Sequence, residues 1–259
     1  FNLCPVIRKN NIEFHGYLLY DNKEKIKKMG ENMFVILLAL FIAAIFGYLI
    51  GSIPNALIIG KIFYKTDVRT QGSGNLGATN VARTLGAKPG IIVLVLDMLK
   101  SIFTSNVMYL VGLYLFKFDS SFWLAMLFIT AGFMTCIGHC FPLFAHFKGG
   151  KAVSVIAGFA IGSNYIVTLV GLFIFALTFA IKKIVSLSSI CMALFTSVLS
   201  FIPFFYEGFY LYPKEHGLYY SITLLVISIL LIIRHQKNII KLWKGEEKPF
   251  QFAKKKIKE

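Results

Sequence analysis

From Met33 onward the chain alternates long apolar runs with short polar segments, and most of the runs have the length of membrane crossings. A helix needs about 20 consecutive apolar residues to cross a bilayer core. Seven runs are predicted as helices: Met33–Phe63, Gly90–Phe116, Phe122–Cys140, Ala152–Gly162, Tyr165–Ile181, Leu187–Phe205 and Leu218–Ile233. The first exceeds one crossing and contains Pro54, which predicts a kink whose freed backbone groups neighbouring helices must satisfy. The fourth is short enough to be re-entrant. None shows the period-two alternation of a barrel strand. The expected fold is all-α, a polytopic membrane bundle of seven transmembrane helices.

Composition agrees. Of 259 residues, 57% are hydrophobic and only 15% charged, with a mean hydropathy of +0.71. That is too apolar for a soluble domain of this size. Charge then orients the bundle. Lys and Arg crowd the segments 61–88, 146–151 and 182–183 and the stretch from Arg234 onward, whereas the alternate loops hold Lys117 and Lys214. The excess of basic residues places the first set, and the C-terminus, in the cytoplasm and the N-terminus outside. The net charge of +15 suits anionic membrane lipids and anionic substrates. It is spread over membrane-flanking loops, which does not fit nucleic-acid binding. Residues 1–32 break this rule: they hold Arg8, Lys9, Lys23, Lys25, Lys27 and Lys28 on the side expected to lie outside. They also lack a signal-peptide apolar core. They are read as a polar N-terminal extension, possibly not native, before a membrane domain at 33–248 and a basic cytoplasmic tail at 249–259.

Three polar motifs interrupt the apolar pattern, all at the basic face. The first is Gly72-Ser73-Gly74-Asn75-Leu76-Gly77-Ala78-Thr79-Asn80, followed by Arg83. Glycines let backbone N–H groups converge on an anion, and the hydroxyls, amides and guanidinium add donors suited to phosphate oxygens. A flexible linker would share the glycines but would rarely carry two Asn and an adjacent Arg. The second motif runs from Gly138-His139-Cys140-Phe141-Pro142 to Lys148-Gly149-Gly150-Lys151. Pro142 ends a helix, and the two glycines and two lysines open the next one, where free N–H groups attract anions. The Walker spacing is absent. The third is Arg234-His235-Gln236-Lys237-Asn238, in which His235 and Asn238 share a helical face.

Smaller features complete the reading. Ser186, Ser188 and Ser189 follow Lys182-Lys183, either as helix caps or as substrate contacts. Asp97 and Lys100 are three residues apart inside a predicted span, which implies an ion pair facing the bundle interior. Cys136 and Cys140 lie one turn apart in a span, with no His or carboxylate at metal-ligand spacing, so no metal or cofactor is expected.

With Gly51-Ser52-Ile53-Pro54, these motifs resemble, in order and spacing, those of the bacterial acyl-phosphate:glycerol-3-phosphate acyltransferase family, over roughly Leu38 to Lys248. The resemblance implies a cell-membrane enzyme with its active site on the cytoplasmic face. It would transfer an acyl group from acyl phosphate to glycerol 3-phosphate, giving lysophosphatidate and phosphate, the first acylation of phospholipid synthesis. It implies catalytic roles for Ser73, Arg83, His235 and Asn238. It further implies substrate contacts from Asn75, Thr79, Asn80, Lys148, Gly149, Gly150, Lys151 and Ser189. Ser73 and Arg83 would meet the donor phosphate and Lys151 that of glycerol 3-phosphate. The hydroxyl proton could pass to His235 or to the donor's own phosphate. None of the five histidines is followed by Asp at the fifth position, as an acyl-CoA-type enzyme would require. The main rival from another class is an anion or phosphate-ester transporter, for which internal repeats and a midplane site are expected. No repeat is visible.

Overall fold

The computed structural model describes residues 33–202, 204–205 and 217–251. The extension 1–32, Lys214 and the tail residues 252–259 lie outside the described residues. Helix α1 spans 33–51. It is followed by α2 (Asn55–Tyr64), α3 (Ala78–Leu85), α4 (Ala87–Leu110), α5 (Ser121–Cys140), α6 (Val153–Ser163), α7 (Tyr165–Lys182), α8 (Val185–Leu199), α9 (Gly217–Arg234) and α10 (Gln236–Trp243). No strand occurs among the described residues. Five segments are long and apolar enough to cross a membrane: Met33–Tyr64, Ala87–Tyr114, Ser121–Ala145, Tyr165–Lys182 and Gly217–Arg234. The chain is a polytopic membrane helix bundle.

Two predicted spans are short for physical reasons. Helix α6 has 11 residues, about 16 Å at 1.5 Å per residue, roughly half a bilayer core. It needs no lipid-facing length because Val155, Ile156, Gly158, Phe159 and Ala160 are buried among its neighbours. Asn164 ends it and begins α7, its Oδ1 accepting from the Val167 N–H at 3.0 Å. Helix α8 stops at Leu199, before the predicted Phe205.

Pro54 does more than kink the first span. The helix breaks completely between Gly51 and Asn55, leaving carbonyls at the C-terminal end of α1 without helical partners. The buried Lys100 ammonium on α4 donates to Gly51 O (3.0 Å) and Ile53 O (3.3 Å). Its charge matches the negative end of the helix dipole. Asp97 balances that charge at 3.0 Å and accepts from Asn55 Nδ2 at 2.9 Å. Lys100 also meets His139 Nδ1 of α5 at 3.1 Å. The expected Asp97–Lys100 ion pair thus exists, and it stabilises the helix break.

Small residues bring α1 onto α5. A Cβ on Gly47 or Gly51 would run into the backbone of Ala131 or Thr135, so the two helices touch main chain to main chain. The larger core lies on the other side of α5, where Phe128, Phe159, Tyr220, Leu224, Ile227 and Leu231 interlock across α5, α6 and α9.

Candidate active site

The Gly72–Asn80 loop is held by its own sequence. Leu76 is buried with Ala56, Val68, Val81 and Val93, which fastens the loop to α2, α3 and α4. Asn80 is buried and uses all of its amide. Its Oδ1 accepts from the Ser73 N–H (2.8 Å) and Ser73 Oγ (3.1 Å), and its Nδ2 donates to Val68 O (2.9 Å) and Gln71 O (3.2 Å). Gly72 has φ +58°, and a Cβ there would strike Asn80 Oδ1, so only glycine fits the turn. The loop is an ordered turn rather than a flexible linker. Ser73 sits at its exposed edge with Asn75 and Thr79 half-buried nearby in sequence. In this structure Asn80 organises the loop, and its polar atoms are already occupied.

Arg83 lies in the last turn of α3. Among the described residues no carboxylate pairs with it. Lys61 and Arg69 differ, because both are tied to Asp67, at 3.4 and 2.6 Å. Arg69 beside Asp67 holds that carboxyl well below the usual carboxylate range. Of these three cations, Arg83 is the one left unneutralised for an incoming anion.

The second loop is built by close packing. The Gly150 N–H donates to His139 O at 2.9 Å. A Cβ on Gly149 would meet His139 O and Pro142 Cδ, and one on Gly150 would meet the His139 ring. These glycines therefore press the loop onto the end of α5, a different reason for glycine than the expected open approach to an anion. Arg234 clamps the loop from α9, its Nε donating to Gly150 O and its Nη2 to Gly149 O, both at 3.2 Å. Its guanidinium also lies 5.1 Å over the Phe141 ring. Helix α6 starts after Ala152, so Lys151 stands before its first turn. Lys148 is exposed.

Lys151 is joined to the third motif. Its Nζ donates to Asn238 Oδ1. Asn238 Nδ2 donates to Glu247 Oε1 at 2.7 Å, which fixes the amide with its oxygen toward Lys151. The same Glu247 oxygen accepts from Ser186 Oγ at 2.8 Å. Burial pushes the Lys151 ammonium down to about 8; Arg83, Arg234 and Lys241 push the same way and Glu247 opposes them. His235 is buried, with Nδ1 2.8 Å from Leu231 O. A carbonyl can only accept, so Nδ1 carries the hydrogen and Nε2 is left as an acceptor. Burial first, and then the Lys151 charge, lower His235 to about 4, so the imidazole is neutral near pH 7.

Four segments thus meet at one end of the bundle. Arg83, Lys151, His235 and Asn238 are brought together with Ser73 on the adjoining loop. Ser189 is not among the contacts: it is buried and bonds back to Val185 O at 2.8 Å. Ser186, one turn earlier, makes the contact through Glu247 instead. Nothing in the sequence marks Arg234 as the loop clamp, or Glu247 and Phe250 as part of the site. Phe250, which the sequence reading gives to the basic tail, donates its N–H to Lys183 O at 2.7 Å and lies under Arg83. Glu247, next to Glu246 in a lysine-rich stretch after the last span, carries no sequence signal of such a role. Among the described residues no group of three His, Cys, Asp or Glu could hold a metal ion. Chemically, Lys151, Arg83, Arg234 and Lys241 face one carboxylate, Glu247, which leaves a strong local field for anions beside a neutral imidazole.

Comparison with known proteins gives the family. A family model described as glycerol-3-phosphate acyltransferase matches residues 41–245. A glycerol-3-phosphate acyltransferase of Listeria welshimeri is 40% identical over 208 residues, covering 80% of this chain and 95% of the relative. The crystal structure of PlsY (YgiH), an integral membrane glycerol 3-phosphate acyltransferase, in its glycerol 3-phosphate form aligns with a TM-score of 0.67 and 33% identity. That match covers 82% of this chain and 96% of PlsY. The lysophosphatidic acid form of PlsY aligns with a TM-score of 0.65 and 32% identity, over 82% of this chain and 95% of that one. With most of its length matched by the family model and by a relative at this identity, the chain belongs to the glycerol-3-phosphate acyltransferase family.

Proposed function

We propose that this glycerol-3-phosphate acyltransferase takes its acyl group from an acyl phosphate and transfers it to glycerol 3-phosphate, releasing lysophosphatidate and inorganic phosphate. The observation that carries the reading is the meeting of Lys151, Asn238, His235 and Arg83 at one end of the bundle, with more positive than negative charge among them. Two phosphate-bearing substrates need that excess. Ser73 and Arg83 serve the donor phosphate; Lys151 serves the phosphate of glycerol 3-phosphate, with its loop held by Arg234. An apolar groove lined by Ile53, Pro54, Leu57, Ile58, Ile62 and Phe144, with Lys61 at its edge, suits an acyl chain.

In the step itself, the acceptor hydroxyl oxygen bonds to the acyl carbon and the bond from that carbon to the phosphate oxygen breaks. An acyl phosphate is already activated, so no enzyme nucleophile is needed, and positioning with charge neutralisation lowers the barrier. The proton ends on phosphate. Burial lowers His235 to about 4, which leaves its imidazole a weak base. The departing phosphate is therefore the stronger base, and His235 Nε2 orients the hydroxyl by accepting its hydrogen bond.

We also propose seven crossings, an outside N-terminus and a cytoplasmic active site. Support comes from the basic segments touching one another. Arg83 lies over Phe250, Phe250 bonds to Lys183, and Arg234 bonds to Gly149 and Gly150. They share one end of the bundle, as the excess of basic residues requires of one membrane face. Purified protein given palmitoyl phosphate and glycerol 3-phosphate should yield lysophosphatidate and phosphate in equal amounts. Phosphate movement across sealed vesicles without product would favour the transporter instead.

A further inference from the structure

Phe250 lies beyond residues 41–245, the stretch that the family model matches. It is held from two directions. Its N–H donates to the carbonyl of Lys183, which caps α7 in the left-handed conformation. Its ring stands edge-on to Phe179 of α7, with centroids 6.2 Å apart and planes at 61°. The chain reaches this place from α10 through Glu247, whose carboxylate is fixed by Ser186 and Asn238. The contact over the ring matters most, because the Arg83 guanidinium lies 5.5 Å from its centroid.

We propose that Phe250 is a positioning residue, an aromatic platform that aims Arg83 at the acyl donor's phosphate. The inference rests on the reading of Arg83 given above. A guanidinium on a long flexible stem must be oriented to bind phosphate through two parallel hydrogen bonds. A carboxylate would orient it but would also occupy its donors and cancel its charge, as Asp67 does to Arg69. An aromatic face attracts the cation through its quadrupole and leaves every N–H free at the edge. The strap from α10 to Phe250 thereby makes Arg83 ready for an anion without neutralising it.

The test uses the full chain, purified in detergent, with palmitoyl phosphate and glycerol 3-phosphate. Phe250→Leu keeps apolar contact with Phe179 and removes the π face; Phe250→Tyr keeps both. Phe250→Leu should lower kcat/KM for palmitoyl phosphate about tenfold, within the range of a partly desolvated cation–π contact. KM for glycerol 3-phosphate should change less than twofold, and Phe250→Tyr should restore activity. In an Arg83→Ala background the added Phe250→Leu change should have no further effect, because the platform then has nothing to aim. Thermal unfolding of each variant is followed in parallel, and Phe250→Met replaces Phe250→Leu if the latter is not recovered folded. A normal Arg83→Ala enzyme would overturn the role of Arg83 and the platform with it. If Arg83→Ala is impaired, the platform alone is overturned by a Phe250→Leu enzyme with wild-type kinetics, or by one whose loss is the same in both backgrounds.

Discussion

Lys151 offers the most discriminating perturbation because it bonds to Asn238, has a lowered pKa and is proposed to meet a single ligand. In Lys151→Ala the ammonium that would meet the glycerol 3-phosphate phosphate is gone. A hydrogen bond to a charged group is worth about 1.5–3 kcal/mol, so KM for glycerol 3-phosphate should rise ~10- to 100-fold. Arg83 and Arg234 remain in the same field and bound the loss. KM for palmitoyl phosphate should move by less than about threefold, if the two phosphates are served by different cations as proposed. Lys151→Met, which keeps the aliphatic stem, should behave like Lys151→Ala and exclude a packing explanation.

The pH profile supplies a second arm to the same prediction. The Lys151 pKa is lowered to about 8, by burial first and by Arg83, Arg234 and Lys241 after it. The charged form therefore dominates below pH 8 and is lost as pH rises through that value. In the wild type, kcat/KM for glycerol 3-phosphate should fall tenfold per unit above about pH 8. The fall in kcat should begin at higher pH, because a bound phosphate holds the proton on Lys151. Lys151→Met should lack this alkaline limb. A folded Lys151→Ala enzyme weakened only toward palmitoyl phosphate would refute the pocket assignment, and an unchanged limb in Lys151→Met would refute the pKa argument.

Glu247→Gln should shift the alkaline limb to lower pH, since the Glu247 charge opposes the other causes at Lys151; a shift to higher pH would contradict the geometry. Ser73→Ala and Arg83→Ala should each reduce kcat/KM ~10²-fold, as loss of a preorganised donor does, with Arg83→Lys a poor rescue because a point charge cannot replace a planar fork. Near-normal turnover in Ser73→Ala would remove that hydroxyl from the mechanism. Leu57→Trp should raise KM for palmitoyl phosphate more than for a short acyl phosphate, and equal effects would separate the apolar groove from the acyl chain. Single cysteines at positions 73 and 117 should label from opposite membrane faces; labelling from one face would contradict the crossing order.

The parts of this fold visible in the sequence are those that repeat a local rule. Apolar length predicts α4, α5, α7 and α9 because each segment must satisfy its own backbone in lipid. Pro54 marks the first span for interruption, and the charges at Asp97 and Lys100 have to face inward. What could not be read was that these two facts are one. The carbonyls freed by the break at Pro54 lie against Lys100, contacts across 49 and 47 residues that no local pattern encodes. Helix α6 was hard to read for the opposite reason. Its composition equals that of a crossing helix, and its burial on every side but the stripe of Val153, Ala157 and Ile161 lets 11 residues suffice.

The site shows the same division between residue type and use. The polar motifs mark where the proposed anion site lies, although the same Lys and Arg also orient the bundle and two of the glycines serve packing. They do not say which members touch a ligand and which build the place for it. Asn80 and Ser73 have similar chemistry in sequence, yet Asn80 is closed off by hydrogen bonds at both ends of its amide while Ser73 stands at the exposed edge. Gly149 and Gly150 look like an anion nest, but the space beside them is filled by His139 and Pro142. The orientation of the site then depends on acceptors outside the motifs. Glu247 turns the Asn238 oxygen toward Lys151, and the Leu231 carbonyl sets which His235 nitrogen is free. A carbonyl has no sequence signature, and Glu247, beside Glu246 in a lysine-rich segment, reads as solvated charge. Both are decisive because each meets a group with two polar ends, and satisfying one end determines what the other presents to substrate.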